Sequence, residues 1–481
     1  MIAVRRMVLV AAVAAAWLIS VGSASAADGS YLYLRGEQGD YLVGASTRWY
    51  TNADAQFFSE YGCTGCSPTS PLHVSVRTPE DVTWAVAMAA RTGERLAPQT
   101  YEGAQRFADA THPGLDVSGE GRGCNTVTGR FTVLTADFTG TTVNHFRATF
   151  EEHCEGLAPT LHGEVGFNVT VPPAPATGKI VIEKGAVATA STSASLAISG
   201  AGISQVRVST DGALDSETFQ PYTPNMSITL PAGDGVKTVL AEFKNSVGFV
   251  SDASDSIFLD TTAPTGVKFT SPTACCSEVA TTNPFRLAWT GTDATSGIQN
   301  YSLSYTSAPY NGGFGAPVDW ATTNSTHKDF TGSPGTQYCF TLRAKDRAGN
   351  VSAPTKGCFV LPIDDSALGV SAGSWTRATG APFYYLATYS RSDAAGSALV
   401  SPLMQGKRIG IVYTKCPGCG TIEVSFGGVV LGTVDTSARS ATTTKKIAYF
   451  PRFDTVLEGV ARVRSVSGAP VYLDGLFFSR S

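Results

Sequence analysis

Apolar and polar residues alternate with a period of two over most of this chain. Residues 82–88 place Val, Trp, Val and Met on one side of such a run, and residues 338–344 place Tyr, Phe, Leu and Ala on one side of another. This period is typical of strands with one buried face. Clusters of Gly, Pro, Asn and Asp end the runs, and no segment keeps a helical period for long. The pattern predicts an all-β chain of antiparallel sandwiches.

Breaks in the alternating pattern divide the chain into domains. The proline-rich run 171–176 favours an extended spacer, and Asp364-Asp365 marks a later boundary. A length of 481 residues suits three to four domains. The predicted division is a signal peptide at 1–27, an N-terminal antiparallel β-sandwich of about eight strands at 28–171, a linker at 172–177, and further β domains at 178–262, 263–363 and 364–481. We therefore expect a signal peptide followed by four tandem β-sandwich domains.

The two middle domains are copies of one repeat. Residues 201–209 match residues 296–304, and residues 243–251 match residues 344–352. The distance between matching segments is about one sandwich domain. The sequence therefore predicts that the two domains share one fold.

These middle domains resemble bacterial Ig-like and fibronectin type III modules. Trp289 lies in a run like an early core strand of that family, and residues 338–344 are like its penultimate strand. The run Asp260-Thr261-Thr262-Ala263-Pro264 is like the usual joint between such modules. The first copy departs from the pattern, with Phe249 where the second copy has Asn350. The resemblance implies an Ig-like domain followed by a fibronectin type III-like domain, and it implies no particular ligand.

The two outer domains also resemble known folds. From Ser374-Trp375-Thr376 to the closing run 471–478, the order of the C-terminal runs resembles a galactose-binding-like jelly roll. Members of that fold class often bind sugars at loops or on a concave face. The segments 121–125 and 150–156 resemble a domain that recurs in secreted bacterial proteins, and this resemblance implies no activity.

The first 27 residues have the order of a signal peptide. Arg5 and Arg6 form a positive n-region, residues 7–21 are apolar, and Ala24-Ser25-Ala26 is a cleavage site. No later apolar run is long enough to span a membrane. We expect a secreted, extracellular protein, either released or held at the cell surface without a covalent anchor of its own.

Ten cysteines behind an export signal predict disulfides. The two C-x-x-C pairs lie in Gly/Pro turns far apart in the chain, which disfavours a redox motif or a zinc site. The expected bonds, all oxidised in the exported protein, are Cys63–Cys66, Cys124–Cys154, Cys339–Cys358 and Cys416–Cys419. Closing the loop between Cys124 and Cys154 stabilises the fold by roughly 3 kcal/mol. Cys275 and Cys276 are left, and they could form a vicinal disulfide or pair with another chain.

Composition excludes several classes of partner. The net charge is −4 and no basic stripe occurs, so nucleic acid is a poor candidate. Asp211, Asp234 and Asp346 lie in turns without the spaced oxygen ligands of a calcium loop, so turn chemistry explains them and no metal is predicted. No cofactor motif occurs. We expect a monomer whose partners are a polysaccharide, a cell-surface glycan or other surface proteins.

The N-terminal domain carries the residues for an alternative, enzymatic hypothesis. It holds five of the six histidines, and His145, Glu151 and His153 lie close together in sequence. On a strand these three share one outward face, which is typical of a solvated sheet. No nucleophile elbow or P-loop occurs. We therefore expect a non-enzymatic adhesion or display protein, with no catalytic residue; the alternative is a carbohydrate-active hydrolase or lyase with its site on this domain.

Four aromatic residues of the C-terminal domain are candidates for a sugar platform. Trp375, Tyr384, Tyr385 and Tyr389 lie near the start of this domain, where flat rings could stack on a sugar or pack in the core. Strict alternation places Tyr385 and Tyr389 on one face of a strand and Tyr384 on the other. At least one of the three tyrosines should therefore be exposed.

Overall fold

The computed structural model describes residues 28–62, 71–271 and 278–480. In these ranges the regular structure is strands and three single-turn 3₁₀ helices, so the all-β prediction is confirmed. The 3₁₀ helices are η1 (Glu183–Gly185), η2 (Asp365–Ala367) and η3 (Tyr385–Ala387). The signal peptide, Cys63, Cys66, Cys275 and Cys276 lie outside the described residues.

The N-terminal domain forms a single sheet of eleven strands, three more than the sequence predicts. The strands are β1 (Asp28–Gly36), β2 (Thr47–Thr51), β3 (Gln56–Tyr61), β4 (Leu72–Arg77), β5 (Thr83–Ala89), β6 (Thr100–Gln105), β7 (Gly114–Gly119), β8 (Arg122–Gly123), β9 (Val127–Thr139), β10 (Thr142–Cys154) and β11 (Leu161–Thr170). Their order is β2-β1-β11-β10-β9-β6-β7-β5-β4-β3, with β8 beside β7. All pairs are antiparallel except β6 with β7. The extra strands are short, and alternation is hard to recognise over so few residues.

One hydrophobic core lies inside this sheet, which curls until β3 contacts β10. The rings of Tyr61 from β3 and Phe138 from β9 stack at 4.3 Å between centroids. Trp84, Phe131 and Phe146 are almost completely buried in the same core. Burying a large aromatic side chain contributes roughly 1.5–3 kcal/mol, so each of these rings stabilises the domain substantially.

The middle of the chain contains two copies of one sandwich topology. The first copy has β12 (Thr177–Ile182), β13 (Ala188–Thr189), β14 (Ser193–Ala201), β15 (Gln205–Ser209), β16 (Gln220–Pro221), β17 (Asn225–Thr229), β18 (Gly235–Lys244) and β19 (Val250–Leu259). The second has β20 (Thr265–Ser271), β21 (Glu278–Val279), β22 (Phe285–Thr292), β23 (Ile298–Pro309), β24 (Val318–Thr323), β25 (His327–Phe330), β26 (Thr336–Asp346) and β27 (Thr355–Leu361). The sheets β12-β14-β17 and β13-β19-β18-β15-β16 correspond strand for strand to β20-β22-β25 and β21-β27-β26-β23-β24. The predicted repeat of Ig-like and fibronectin type III-like sandwiches is confirmed.

The C-terminal domain is a two-sheet sandwich with a topology different from that of the two middle domains. Its strands are β28 (Ile363–Asp364), β29 (Gly369–Ala372), β30 (Thr376–Thr379), β31 (Thr388–Ser392), β32 (Ala398–Val400), β33 (Met404–Gly406), β34 (Arg408–Lys415), β35 (Thr421–Phe426), β36 (Val429–Asp435), β37 (Thr443–Tyr449), β38 (Leu457–Gly459), β39 (Ala461–Ser465) and β40 (Val471–Ser479). One sheet has the order β30-β31-β40-β34-β37 with β28 beside β40, the other has the order β29-β32-β39-β35-β36, and β33 pairs with β38. Its core is formed by apolar residues of both sheets, including Ile411, Val424 and Leu473.

By the density of its contacts, the chain divides into two compact units. The first contains residues 28–180, 198–224 and 240–254, and the second contains residues 181–197, 225–239 and 255–480. In the first unit, Phe249 stacks on Tyr33 of the N-terminal domain at 4.4 Å, with Trp49 at 5.5 Å. In the second unit, Asn350 donates hydrogen bonds to the carbonyl oxygens of Asp260 and Thr262. This departure between the two copies therefore lies where each copy contacts the segment that precedes it.

Three disulfides occur among the described residues. They are Cys124–Cys154, Cys339–Cys358 and Cys416–Cys419, with Cα–Cα distances of 5.2, 4.0 and 5.3 Å. Cys339 and Cys358 are directly paired residues of neighbouring strands β26 and β27. In the described part of the chain, no helix has both the length and the apolar character needed to cross a membrane.

Candidate functional site

The tyrosines of the C-terminal domain do not follow strict alternation. Tyr385 begins the 3₁₀ turn η3, and the two residues after it have left-handed backbones, with φ 49° at Leu386 and 62° at Ala387. A turn of this kind breaks the period of two. Tyr384 and Tyr389 therefore meet on one side, with ring centroids 4.4 Å apart, and the expectation that they lie on opposite faces is wrong.

Tyr385 is completely buried, so it cannot stack on a ligand. Its side chain belongs to the core of the preceding fibronectin type III-like domain. Its hydroxyl donates to the carbonyl oxygen of Pro362 at 3.2 Å, and its backbone N–H donates to Asp474 at 2.8 Å. Burial raises the pKa of the Tyr385 hydroxyl. This residue joins two domains and is removed from the candidate ligand set.

A row of partly exposed aromatic rings remains on this face of the C-terminal sheet. Tyr389 of β31 lies 5.6 Å from Tyr472 of β40, and the guanidinium of Arg391 lies over the Tyr472 ring at 5.5 Å. Arg391 and Tyr472 are directly paired across the two strands. We call Tyr384, Tyr389 and Tyr472 with Arg391 the tyrosine face. It offers flat apolar surface next to a cation, the combination that holds a sugar ring or another planar group.

The loop that enters the tyrosine face is exposed and apolar. Phe383 is 75% exposed, and Leu386 is 40% exposed. Left-handed backbone is strained at non-glycine residues such as Leu386 and Ala387, and it persists only where the surrounding structure holds it. Strained residues of this kind cluster at functional sites. Trp375, the fourth aromatic candidate, is partly buried and packs against the core of the C-terminal domain.

Three carboxyl groups lie buried beside Tyr385. Asp365 and Asp474 are fully buried and Asp364 nearly so. Burial raises the pKa of Asp474 to about 7, and the nearby charges of Asp365 and Asp364 also raise it. Burial raises the pKa of Asp365, whose carboxylate accepts hydrogen bonds from Ser390 and Thr388. Burial therefore moves the titration of Asp474 and of Asp365 above the ordinary carboxyl range.

The histidine and glutamate candidates of the N-terminal domain each have separate partners. His145 pairs with Asp137 at 3.2 Å, and His153 contacts the carbonyl oxygen of Leu157 at 3.2 Å. Glu151 forms a two-pronged pair with Arg130, at 2.8 and 3.0 Å. They lie on the outward side of β10, as alternation predicts, and only Glu151 lines a cleft. The three side chains therefore do not form one catalytic group.

Glu152, the next residue along β10, points the other way and is fully buried in the core. Its Oε1 lies 3.3 Å from the sulfur of Cys124. Burial raises the pKa of Glu152 well above its usual range, and the nearby charge of Asp116 raises it further. Alternation along β10 places Glu152 on the inward face. The polar residues on both sides of it, Glu151 and His153, hide this position in the sequence, because the run reads as uniformly polar.

We expect the stability of the N-terminal domain to fall as the pH rises above the ordinary carboxyl range. The folded state favours protonated Glu152, so its contribution is fully present below the unfolded pKa of about 4.5 and is lost as the pH rises through the raised folded pKa. Glu152→Gln should remove this dependence. The free energy of unfolding by denaturant is measured from pH 5 to pH 9, with hydrogen exchange in β9–β11 as the readout.

The adjacent Glu151 provides a control with the opposite sign. The hydrogen bond from Arg130 lowers the pKa of Glu151. Its contribution is therefore present above the ordinary carboxyl pKa and is lost as the pH falls through the lowered value. If Glu151→Gln and Glu152→Gln changed the pH profile in the same direction, the assignment of Glu152 as a buried neutral acid would be wrong.

Among the described residues, two all-acidic groups could hold a metal ion by their spacing: the largely exposed Asp211, Asp215 and Glu217, and the more buried Asp260, Asp293 and Asp346. Asp260, Asp293 and Asp346 bring their carboxylate oxygens within 4.8 Å of one another, and the first and last are fully buried. Oxygen ligands of this kind suit a hard divalent cation such as Ca²⁺. The same carboxylates also accept backbone N–H groups, including Ser296 N to Asp260 at 3.0 Å and Gly349 N to Asp346 at 2.7 Å. The bond to Asp346 is the turn chemistry that the sequence predicts for this residue.

Comparison with known proteins adds no family assignment. No family model matches the chain. Chitinase A1 of Niallia circulans is 32% identical over 158 residues, which is 32% of this chain and 21% of that enzyme. The chain therefore spans about a fifth of the length of this curated relative.

The chain is also similar to several solved structures, at low identity and low TM-score. The fibronectin(III)-like modules of Clostridium thermocellum CbhA cover 38% of this chain and 93% of their own, with 15% identity and a TM-score of 0.26. A tetra-tandem repeat from the extending region of a large adhesion protein covers 80% and 96%, with 13% identity and a TM-score of 0.22. Carbohydrate-binding modules of the β-sandwich superfamily cover 63% and 99%, with 10% identity and a TM-score of 0.16. No function is transferred at these scores.

Proposed function

We propose that this protein is a secreted, non-catalytic glycan-binding protein of the cell surface or its surroundings, and that the tyrosine face is its binding site. The single observation that carries the proposal is the meeting of Tyr384 and Tyr389 beside Tyr472 and Arg391. Partly exposed rings in a row match the flat apolar faces of sugar rings, and Arg391 can donate hydrogen bonds to their hydroxyls.

The export signal and the paired cysteines support an extracellular place for this role. The two repeated sandwiches then act as spacers or as docking surfaces for other surface proteins. The domain limits that we propose remain 28–171, 178–262, 263–363 and 364–481, joined by the linker 172–177. Stacking with a few hydrogen bonds gives modest affinity, so we expect a Kd of about 10 μM to 1 mM.

We expect Tyr389→Ala and Tyr384→Ala each to weaken glycan binding roughly 3- to 10-fold, because an aromatic contact contributes about 0.5–1.5 kcal/mol beyond its buried area. The full mature chain is measured by isothermal titration against soluble oligosaccharides and by pull-down on insoluble polysaccharides. Chitin and its oligomers belong in the panel because the curated relative is a chitinase.

Tyr449→Ala is the matched control. Tyr449 is 43% exposed in the same domain, and its ring contacts Arg408 at 4.6 Å, away from the tyrosine face. Equal losses in the Tyr389 and Tyr449 variants, or no binding to any glycan, would count against the proposal.

The enzymatic alternative is tested in the same preparation. Its support is the partial match to a chitinase and the line of polar residues around Glu151. Turnover of a glycan that persists after repurification and disappears in Glu151→Gln would replace the binding proposal with a hydrolase or lyase on the N-terminal domain.

A further inference from the structure

A groove crosses the outward face of the N-terminal sheet, independent of the tyrosine face. It runs perpendicular to the strands over β6, β9, β10, β11 and β1, and two rows of paired residues form its floor. The first row is Thr100, Thr132, Thr149, Glu164 and Tyr33. The second row is Glu102, Arg130, Glu151, His162 and Arg35. Each strand contributes one residue to each row, and these two residues are two positions apart, so the rows lie about 7 Å apart.

The groove deepens from one end to the other. In the second row, the exposed fraction of the side chain falls from 67% at Glu102 to 52% at Arg130, 36% at Glu151 and 13% at Arg35. In the first row, Thr100 is exposed and Tyr33 is buried. A ligand can therefore enter at the β6 end and is progressively enclosed towards β1.

The deep end is closed by the turn that precedes β19. Val247, Gly248 and Phe249 line the cavity there, and the Phe249 ring covers Tyr33 at 4.4 Å. Arg35 is held by Glu242 of the same unit. The volume of this open groove is about 420 Å³, within the range of ordinary ligand sites. A long chain cannot pass through this end, so the groove suits a terminus.

The floor offers donors and acceptors in alternation with little net charge. Arg130 neutralises Glu151, and Arg147 pairs with Glu164 at 2.7 Å. The hydroxyls of Thr100 and Thr132 lie 3.0 Å apart, and either can donate. A carboxylate accepts, a guanidinium donates and a hydroxyl does both, which matches the hydroxyls of a sugar. An anionic ligand would lose its hydration without finding a free cation, because Arg130 and Arg147 are already paired.

We infer that this groove binds the terminal residues of an uncharged, unbranched polysaccharide, laid across the strands with its end against Phe249. The residue types favour hydrogen bonding by sugar hydroxyls over the apolar contacts that a drug-like molecule needs. The groove would be a second glycan-binding site beside the tyrosine face. Two linked sites of modest affinity raise the overall affinity, because binding at one raises the effective concentration of ligand at the other.

The test uses the full mature chain carrying Tyr389→Ala, so that the tyrosine face is weakened. The probes are chitohexaose, cellohexaose and mannohexaose as neutral chains, and hexagalacturonate as an anionic chain. Hydrogen–deuterium exchange reports the site. We expect at least one neutral chain at millimolar concentration to protect β9, β10 and the segment 243–250, and the anionic chain to give no protection there.

A bulky residue in the floor should abolish that protection. Thr149→Trp fills the middle of the groove, and Thr142→Trp places the same bulk at the exposed start of the same strand. Glu102→Ala, at the open end, should fold normally and weaken binding roughly 2- to 5-fold, the value of one hydrogen bond. If none of the neutral chains protects the floor, or if Thr142→Trp is as damaging as Thr149→Trp, the site is refuted.

The closed end is tested with chemically modified termini. One probe has its reducing end converted to an alditol, and another carries a bulky group at its non-reducing end. We expect one of the two to bind at least 10-fold more weakly than the unmodified chain. Equal binding of both to the groove would show that the ligand passes through it, and would overturn the assignment of a chain-end site. Loss of binding only in tyrosine-face variants would refute the groove and leave the proposed function intact.

Discussion

Replacing Tyr385 by alanine should destabilise the C-terminal domain and the fibronectin type III-like domain together, by about 3–5 kcal/mol. This is the range for removing a fully buried aromatic side chain and leaving a cavity. The ring comes from the C-terminal domain but belongs to the core of its neighbour, so the loss falls on both. Native-state hydrogen exchange of the full chain measures it, because opening of β20–β27 and of β28–β40 can be followed separately.

Tyr385→Phe separates packing from hydrogen bonding. It keeps the ring and removes only the bond from the hydroxyl to Pro362, so the expected cost is about 1 kcal/mol. Tyr449→Ala, at a 43% exposed position, should change stability little. If Tyr385→Ala affected only β28–β40, the two domains would be independent folding units, and Tyr385 would be an ordinary surface contact.

Replacing Glu242 by alanine should cost about 3–5 kcal/mol in the first compact unit. Glu242 is buried and receives both Arg35 from β1 and Arg207 from β15, with Asp252 at 3.6 Å from Arg35. Removing Glu242 leaves the guanidinium groups of Arg35 and Arg207 partly buried, with Asp252 as the remaining carboxylate near Arg35. Hydrogen exchange in β1 and β15 is the measurement, and both strands should open more readily.

The exposed pair Arg48–Glu120 provides the comparison. Its side chains are about one-third exposed, so Glu120→Ala should cost no more than about 1 kcal/mol. A combined Arg35→Met, Arg207→Met and Glu242→Leu variant should recover much of the stability, since neither guanidinium is then left without its carboxylate. If Glu242→Ala were as mild as Glu120→Ala, the link between β1 and β15 would not depend on this ion pair.

Much of the fold follows from local pattern. The run 338–344 alternates because β26 has one face in a core, and the two repeats fold alike because their apolar positions coincide. What the sequence could not show is the path of the N-terminal strands: β3 returns to contact β10 far along the chain, and short strands such as β8 carry too few residues for a recognisable period. Long-range pairing depends on contacts that no local window contains.

The candidate site was only partly predictable, for a related reason. Tyr384 and Tyr389 could be named because aromatic residues cluster there, but their relative orientation depends on η3, where non-glycine residues take left-handed backbones. No propensity favours Leu386 in that conformation, since only the surrounding structure holds it. The groove near Glu151 was missed because its floor comes from five strands and its end wall from another domain.

The side chains that each repeat presents outward also determine the order of the modules. Where the first copy has Arg207 and Glu242, the matching positions of the second hold Ser302 and Arg343. A chain with the two copies exchanged would bring Arg343, in place of Glu242, towards Arg35, with no acid between two like charges. Similar as they are in fold, the two copies are therefore not interchangeable in the chain.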